Sequence, residues 1–206
     1  MSLEDIRRRV VQAGLSDDWG EVLRWESRID ELAAGHDQGI IFEVLQTFAC
    51  AFSYAQKDNS EGMMWVRCAE ACGAMKLFSR QVDTLARAGD SFRFGENQKN
   101  AALWYESARD ASAEHGFVSK ESESCTKLGE AFTETGRRSE GVEQDRRAWA
   151  VAQSVGDNDA SHDRASLERA ALRRLVVALC TEEHLEEAES LFTRLRDGGD
   201  NADCRL

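Results

Sequence analysis

Two cysteines of the chain stand at a spacing that suits metal binding. Cys68 and Cys72 are four residues apart, so a helix through this stretch would place both thiols on one face. Two thiolates could supply half of a tetrahedral zinc site. No histidine or cysteine in the neighbouring sequence completes the set. We therefore expect no bound metal and interpret Cys68 and Cys72 as reduced core residues.

The chain offers no set of side chains for catalysis. It lacks a glycine-rich phosphate loop, a nucleophile elbow and an HExxH pair. His115 stands near Asp110 and Glu114 and could act as a base, but no nucleophile accompanies it. Adjacent carboxylates such as Glu186 and Glu187 are typical of a solvated helix face. We predict a protein that is not an enzyme and needs no cofactor.

Charge narrows the class of partner. The 206 residues carry a formal net charge of −12 at pH 7. Nucleic acids and anionic membrane surfaces are bound mainly through Lys and Arg, so both are disfavoured, whereas basic protein partners fit. No stretch approaches 18 apolar residues, and the first ten residues lack the apolar core of a secretory signal. We therefore expect a cytoplasmic protein.

The elements that carry these residues are predicted to be helices. The sequence holds no proline and few strand signals, which favours long helices with short links. Apolar and small residues follow Gly89 at plus 3, 12, 16 and 19. The same marks recur less completely from Cys50, Gly129 and Val176, at spacings of 39, 40 and 47 residues. We call the four starting residues anchors. In the order Cys50, Gly89, Gly129 and Val176, the marks that follow them are Ser53, Gly62, Val66 and Ala69; Phe92, Ala101, Tyr105 and Ala108; Phe132, Gly141, Asp145 and Ala148; and Leu179, Ala188, Phe192 and Leu195. This periodicity predicts an array of helical hairpins.

The hairpins divide the chain into three parts. Residues 1–36 are predicted to form a degenerate helical pair, residues 37–197 the repeats, and residues 198–206 a disordered tail. Trp65 and Trp104, 39 residues apart, are interpreted as one position in successive repeats.

The best-formed repeats resemble the tetratricopeptide repeat (TPR) family. The marks of segment 128–157 are Leu128, Gly129, Phe132, Gly136, Ala148, Gln153 and Asp157. A unit near 40 residues is longer than the usual 34 and resembles the variant seen in kinesin light chains, rapsyn and Pins/LGN scaffolds. The resemblance implies an all-α, right-handed α-solenoid of about five antiparallel helical hairpins, which acts as a scaffold or adaptor for protein binding.

The packing of that family implies where a partner would bind. The first helix of each pair would line a concave groove and would present carboxylates from two neighbouring repeats. The side chains so placed are Asp83, Asp90 and Arg93 on helix 80–94, and Glu123, Glu130 and Glu134 on helix 119–135. Phe94 and Tyr54 would add apolar anchors. This interpretation predicts a partner protein or peptide with a Lys/Arg-rich segment, held by charge-assisted hydrogen bonds.

A structural assembly or oligomerisation module is the alternative. The last predicted helix carries Leu191, Phe192 and Leu195, and no further helix is predicted to cover them. Contacts would then be made by the convex face or the helix ends, and a homodimer through the C-terminal helix follows as a hypothesis. The acidic side chains would in that case be a solvated face.

Overall fold

The fold is built from helices throughout the part of the chain that can be described. The computed structural model describes residues 3–16, 18–29, 31, 36–154 and 164–200, and no strand occurs among them. The all-α prediction is therefore confirmed. The helices are α1 (Leu3–Leu15), α2 (Trp19–Glu26), α3 (Gln38–Tyr54), α4 (Asp58–Ala74), α5 (Phe78–Phe94), α6 (Gln98–Glu114), α7 (Val118–Glu134), α8 (Arg138–Gln153), α9 (Arg164–Thr181) and α10 (Leu185–Asp200).

Three-residue links with the same backbone geometry join the helices from α3 to α8, and another joins α9 to α10. The middle residue of each link has a positive φ between 53° and 78°: Gln56, Lys76, Glu96, Gly116, Gly136 and Glu183. The next residue donates its N–H to a carbonyl five residues back, as from Lys57 to Phe52 at 2.9 Å. This is the Schellman ending of a helix. Because it reverses the chain within three residues, the helices it joins within a unit pack side by side, as α3 does with α4, α4 with α5, α7 with α8, and α9 with α10.

The repeat has a regular period in the first three hairpins. Their first helices begin at Gln38, Phe78 and Val118, which are 40 residues apart. In this register Ala49 corresponds to Gly89, and both are buried, whereas Cys50 is exposed. The predicted anchor at Cys50 is therefore wrong by one residue. Two small residues stand next to each other there, and only packing distinguishes them.

The same register changes the equivalence of two tryptophans. Trp65 is the eighth residue of α4, and the eighth residue of α6 is Tyr105. Trp65 and Tyr105 are both buried, whereas Trp104 is only half-buried. The predicted pairing of Trp65 with Trp104 is therefore wrong, and Tyr105 takes that place.

The chain divides into two units, residues 1–104 and residues 105–206. In the first unit, α1 packs against α2 and α3. The predicted separation at residue 36 stays a prediction. Helix α10 continues to Asp200, three residues into the stretch predicted as a tail, and residues 201–206 lie outside the described part.

The core of the first unit is rich in phenylalanine. Phe48, Phe52 and Phe92 are each at most 2% exposed, and full burial of such a side chain contributes about 2–3 kcal/mol. The ring of Phe92 on α5 packs directly on the backbone of α4, because a Cβ added to Gly62 would lie 2.9 Å from a ring carbon.

A contact between glycines organises the second unit. A Cβ added to Gly141 on α8 would lie 2.9 Å from the carbonyl oxygen of Gly129 on α7. The two backbones therefore approach at a distance that only glycine permits. On its other side α8 joins α9 and α10 through a cluster that contains Val142, Leu175 and Leu179.

Candidate partner-binding groove

An open groove of about 810 Å³ lies within the first unit. Its floor is one face of α3, where Ile40, Thr47 and Tyr54 follow each other at seven-residue spacing. Residues of α1 form one wall, and the link between α4 and α5 with the start of α5 forms the other. Three helical elements therefore hold the groove open without any help from a ligand.

The groove exposes apolar side chains that a folded chain normally buries. Leu15 on α1 is 81% exposed and Tyr54 at the end of α3 is 83% exposed. Val11, Ile40 and Leu77 also line the groove, and each is exposed by 43–47%. A concave surface with several exposed apolar side chains is typical of a binding site.

The charged residues of the groove balance each other. Arg7 Nη1 on α1 lies 3.1 Å from Glu43 Oε2 on α3, so this pair spans the groove wall and its floor. The guanidinium of Arg80 lies 4.2 Å from the ring centroid of Phe42. Asp37 caps α3 by accepting a hydrogen bond from the Gly39 N–H at 2.8 Å. Two arginines and two carboxylates thus line a surface whose remaining character is apolar.

The predicted site residues fall in both units. Tyr54 lines the groove, whereas Asp83, Asp90, Arg93 and Phe94 lie further along on α5 of the same unit. Asp83 is exposed, Asp90 and Arg93 are half-buried, and Phe94 is 77% exposed.

The other predicted carboxylates belong to α7 of the second unit. Glu123 and Glu134 are exposed, and Glu130 is half-buried. Glu123 Oε1 lies 3.3 Å from Lys127 Nζ, one turn further along the helix. A continuous acidic groove formed with Asp83 and Asp90 stays a prediction.

Sequence reasoning missed most of the groove lining. The sequence predicts an inner stripe of Ile41, Leu45, Phe48 and Phe52 on this helix. In the structure Leu45, Phe48 and Phe52 are buried, whereas Ile41 is half-buried and Phe42 is buried beside them. A signal was present, because Ile40 lies outside that stripe in a helix that is apolar on more than one face. Such a helix serves two surfaces.

The paired cysteines are packed in the core. Cys68 and Cys72 are fully buried and not disulfide-bonded. Burial, reinforced by the neighbouring Cys72, raises the pKa of the Cys68 thiol to about 12. Burial also raises the pKa of Cys72. Both thiols therefore stay protonated, and no three His, Cys, Asp or Glu side chains among the described residues are grouped to hold a metal ion.

Comparison with known proteins identifies the fold. No protein-family model matches the chain, and no curated protein sequence does. The crystal structure of BtubC (BKLC) from P. vanneervenii is similar over 100% of this chain and 89% of its own, with a TM-score of 0.67 and 13% identity. A putative kinesin light chain of P. anserina with nearly identical TPR-like repeats is similar over 98% of this chain and 96% of its own, with a TM-score of 0.63 and 11% identity.

The apo form of RapI is similar over 98% of this chain and 71% of its own, with a TM-score of 0.63 and 11% identity. The chain has a TPR-like repeat fold. The predicted resemblance is confirmed at the level of the fold, and so is the class of all-α repeat solenoids. No helix among the described residues of this TPR-like chain is long and apolar enough to cross a membrane.

Proposed function

We propose that this TPR-like protein is a non-enzymatic scaffold that binds a segment of a partner protein in the groove of its first unit. The observation that carries the proposal is the set of exposed apolar side chains on the walls and floor of that groove. Binding would remove Leu15, Ile40, Leu77 and Tyr54 from water, at about 25 cal/mol for each Å² of apolar surface buried. Because helices preform the groove, little ordering of the scaffold opposes association.

Charge selects among partners with suitable apolar residues. The net charge of −12 attracts basic segments over distances of about 10 Å at moderate salt. Asp83 on α5 and Glu123 and Glu134 on α7 are exposed carboxylates that lie outside the groove lining. We expect a partner that places apolar anchors in the groove and Lys or Arg residues beside them. The cytoplasm is the compartment we propose for this interaction.

A random peptide library displayed on phage tests the groove. We expect the full chain to enrich peptides with two or three large apolar residues and nearby Lys or Arg. Calorimetry with an enriched synthetic peptide should show at least tenfold weaker binding to the Leu77→Asp variant, because the substitution places a charge in the apolar wall. Val177→Asp is the matched control, since Val177 is 54% exposed on α9 in the other unit.

The same peptide measures the contribution of charge. Asp83→Lys should weaken binding several-fold at low salt and by less at high salt, whereas Glu143→Lys on the exposed side of α8 should weaken it less. Equal binding to wild type and Leu77→Asp would refute the groove. A Leu77-dependent interaction that does not change with salt would leave the groove in place and refute a basic partner.

A second candidate function, self-assembly through α10, is favoured by one observation. Trp65 and Tyr105 are buried at the eighth position of their helices, whereas Phe192, the eighth residue of α10, is 55% exposed. Leu185, at the start of the same helix, is 62% exposed. A second copy of the chain that covers this face would form the homodimer expected from the sequence.

A further inference from the structure

In two successive hairpins, a cation on the following helix lies over an aromatic ring at the same position of the second helix. The guanidinium of Arg87 on α5 lies 5.0 Å from the ring centroid of Trp65 on α4. Nζ of Lys127 on α7 lies 5.9 Å from the ring centroid of Tyr105 on α6. Each aromatic residue is the eighth of its helix, and each cation is the tenth of the helix that follows. The contact is a repeated cation–π pair.

The third hairpin keeps the cation and replaces the ring by a carboxylate. Asp145 is the eighth residue of α8, and Nε of Arg174 on α9 lies 3.5 Å from its Oδ2. Asp145 is fully buried, and neither of its carboxylate oxygens has a hydrogen-bond partner among the described residues. The pair is therefore an ion pair at contact distance without the geometry of a hydrogen bond.

The space around the carboxylate is narrow. A Cβ added to Gly129 on α7 would lie 2.9 Å from Asp145 Oδ1. The same glycine makes the close contact with the backbone of α8 at Gly141. Asp145 thus lies at the junction where α7, α8 and α9 meet.

Charged groups approach Asp145 from the helices packed against α8. Glu130 faces it from α7, and Arg174 faces it from α9. On α6, Arg109 donates a hydrogen bond to Gln144 of α8, but its guanidinium forms ion pairs with Glu106 and Asp110. Burial is the main cause that raises the pKa of Asp145, to about 7; Arg174 opposes the rise and Glu130 adds to it. Asp145 therefore titrates near neutral pH.

We infer that protonation of Asp145 controls how firmly α9 is held against α7 and α8, which makes the last hairpin a pH-dependent element of the second unit. Burying the neutral acid costs less free energy than burying the anion. The ionised form is a buried anion, and its oppositely charged partner among the described residues is Arg174, itself 24% exposed. The inference concerns the second unit and does not depend on the groove.

The direction of the effect follows from the two pKa values. In the unfolded chain an aspartate has a pKa near 4, so the folded state binds an extra proton between about pH 4 and pH 7. The stabilisation by this proton is complete below pH 4 and is lost as the pH rises to about 7. Between pH 5 and pH 7 the equilibrium constant for opening α9 should rise roughly 50-fold.

Hydrogen exchange on the full chain measures this opening directly. Protection factors of α9 amides at pH 5, 6 and 7 are corrected for the intrinsic exchange rate and compared with those of α5. We expect the wild type to lose protection in α9 by roughly 50-fold, and Asp145→Asn to lose most of that pH dependence. Glu143→Gln, which removes an exposed carboxylate of the same helix, should behave as the wild type.

A carbon-13 NMR titration of the Asp145 carboxyl group provides the second readout and needs no variant at position 145. We expect a midpoint near pH 7, a higher midpoint in Arg174→Gln and a lower one in Glu130→Gln. A wild-type midpoint near 4, or the same pH dependence of α9 in wild type and Asp145→Asn, would overturn the inference. If Asp145→Asn does not fold, the shifts in Arg174→Gln and Glu130→Gln decide it.

Discussion

Two glycines let α7 and α8 touch at their backbones, and each is necessary for a steric reason. A Cβ at Gly141 would lie 2.6 Å from Thr133 Oγ1 and 2.9 Å from the Gly129 carbonyl oxygen. The hydroxyl can rotate away, but the carbonyl belongs to a helix and cannot. A substitution here must therefore push the two helices apart.

Gly141→Ala should lower the free energy of unfolding by about 1–3 kcal/mol, because overpacking at a helix crossing forces backbone shifts. Urea denaturation followed by circular dichroism measures the change. Gly20→Ala is the control, since its Cβ would meet only Asp18 Oδ1 at 3.5 Å. We expect Gly20→Ala to change stability by no more than about 0.5 kcal/mol, in the stabilising direction. Equal effects of the two substitutions would contradict the steric account.

The three-residue links determine how successive helices are arranged. Each link needs one residue in the left-handed region, which costs a residue with a side chain about 1–2 kcal/mol and costs glycine almost nothing. Gly116 and Gly136 meet that need without strain, whereas Lys76 and Glu96 adopt the same conformation with a Cβ present. The strain is offset by the hydrogen bonds that close each helix, such as Asn97 N–H to Phe92 O at 2.8 Å.

The Gly116→Ala variant measures only the free-energy cost of placing a side-chain-bearing residue in the left-handed region. No atom lies within 4 Å of a Cβ added there, so a loss of stability would come from the φ of 70° alone. We expect a loss of about 1 kcal/mol. The reverse change, Glu96→Gly, should stabilise the chain by about 0.5–1 kcal/mol, and thermal unfolding of both variants checks the pair. A stabilised Gly116→Ala would mean that the link relaxes into another conformation.

At the scale of the whole molecule, we expect α10 to associate with α10 of a second copy. We expect sedimentation equilibrium to show the apparent mass rising with concentration from 23.0 kDa towards twice that value. Phe192→Asp should remain monomeric, because it places a charge in the proposed interface. Leu15→Asp, at an exposed apolar residue of the groove, should associate as the wild type does. A monomeric wild type at every concentration would remove the homodimer proposal.

The repeat marks in the sequence are not equally clear along the chain. The marks after Gly89 and those of segment 128–157 are the clearest, and most of them lie on helices α5 to α8. The groove lies in the first unit, in a region where the marks are weakest. Exposed apolar residues such as Leu15 and Tyr54 break the pattern of a simple amphipathic helix, so a search for regular patterns passes over the site.

The sequence by itself determined the class of fold. A lack of proline, apolar residues at helical spacing and a recurrence near 40 residues are local properties, and local properties suffice to specify helices and short links. The same marks place Asp145 at the position that Tyr105 holds in the preceding repeat.

The tertiary structure decided the rest. Whether Ala49 or Cys50 faces the core, and whether Asp145 lies in water or among three helices, depends on which surfaces meet. The pKa of Asp145 rises because neighbouring helices exclude water from it, and the groove exists because α1 and the α4–α5 link stand apart above α3. Burial and concavity arise from residues far apart in the chain, and a local pattern carries no record of them.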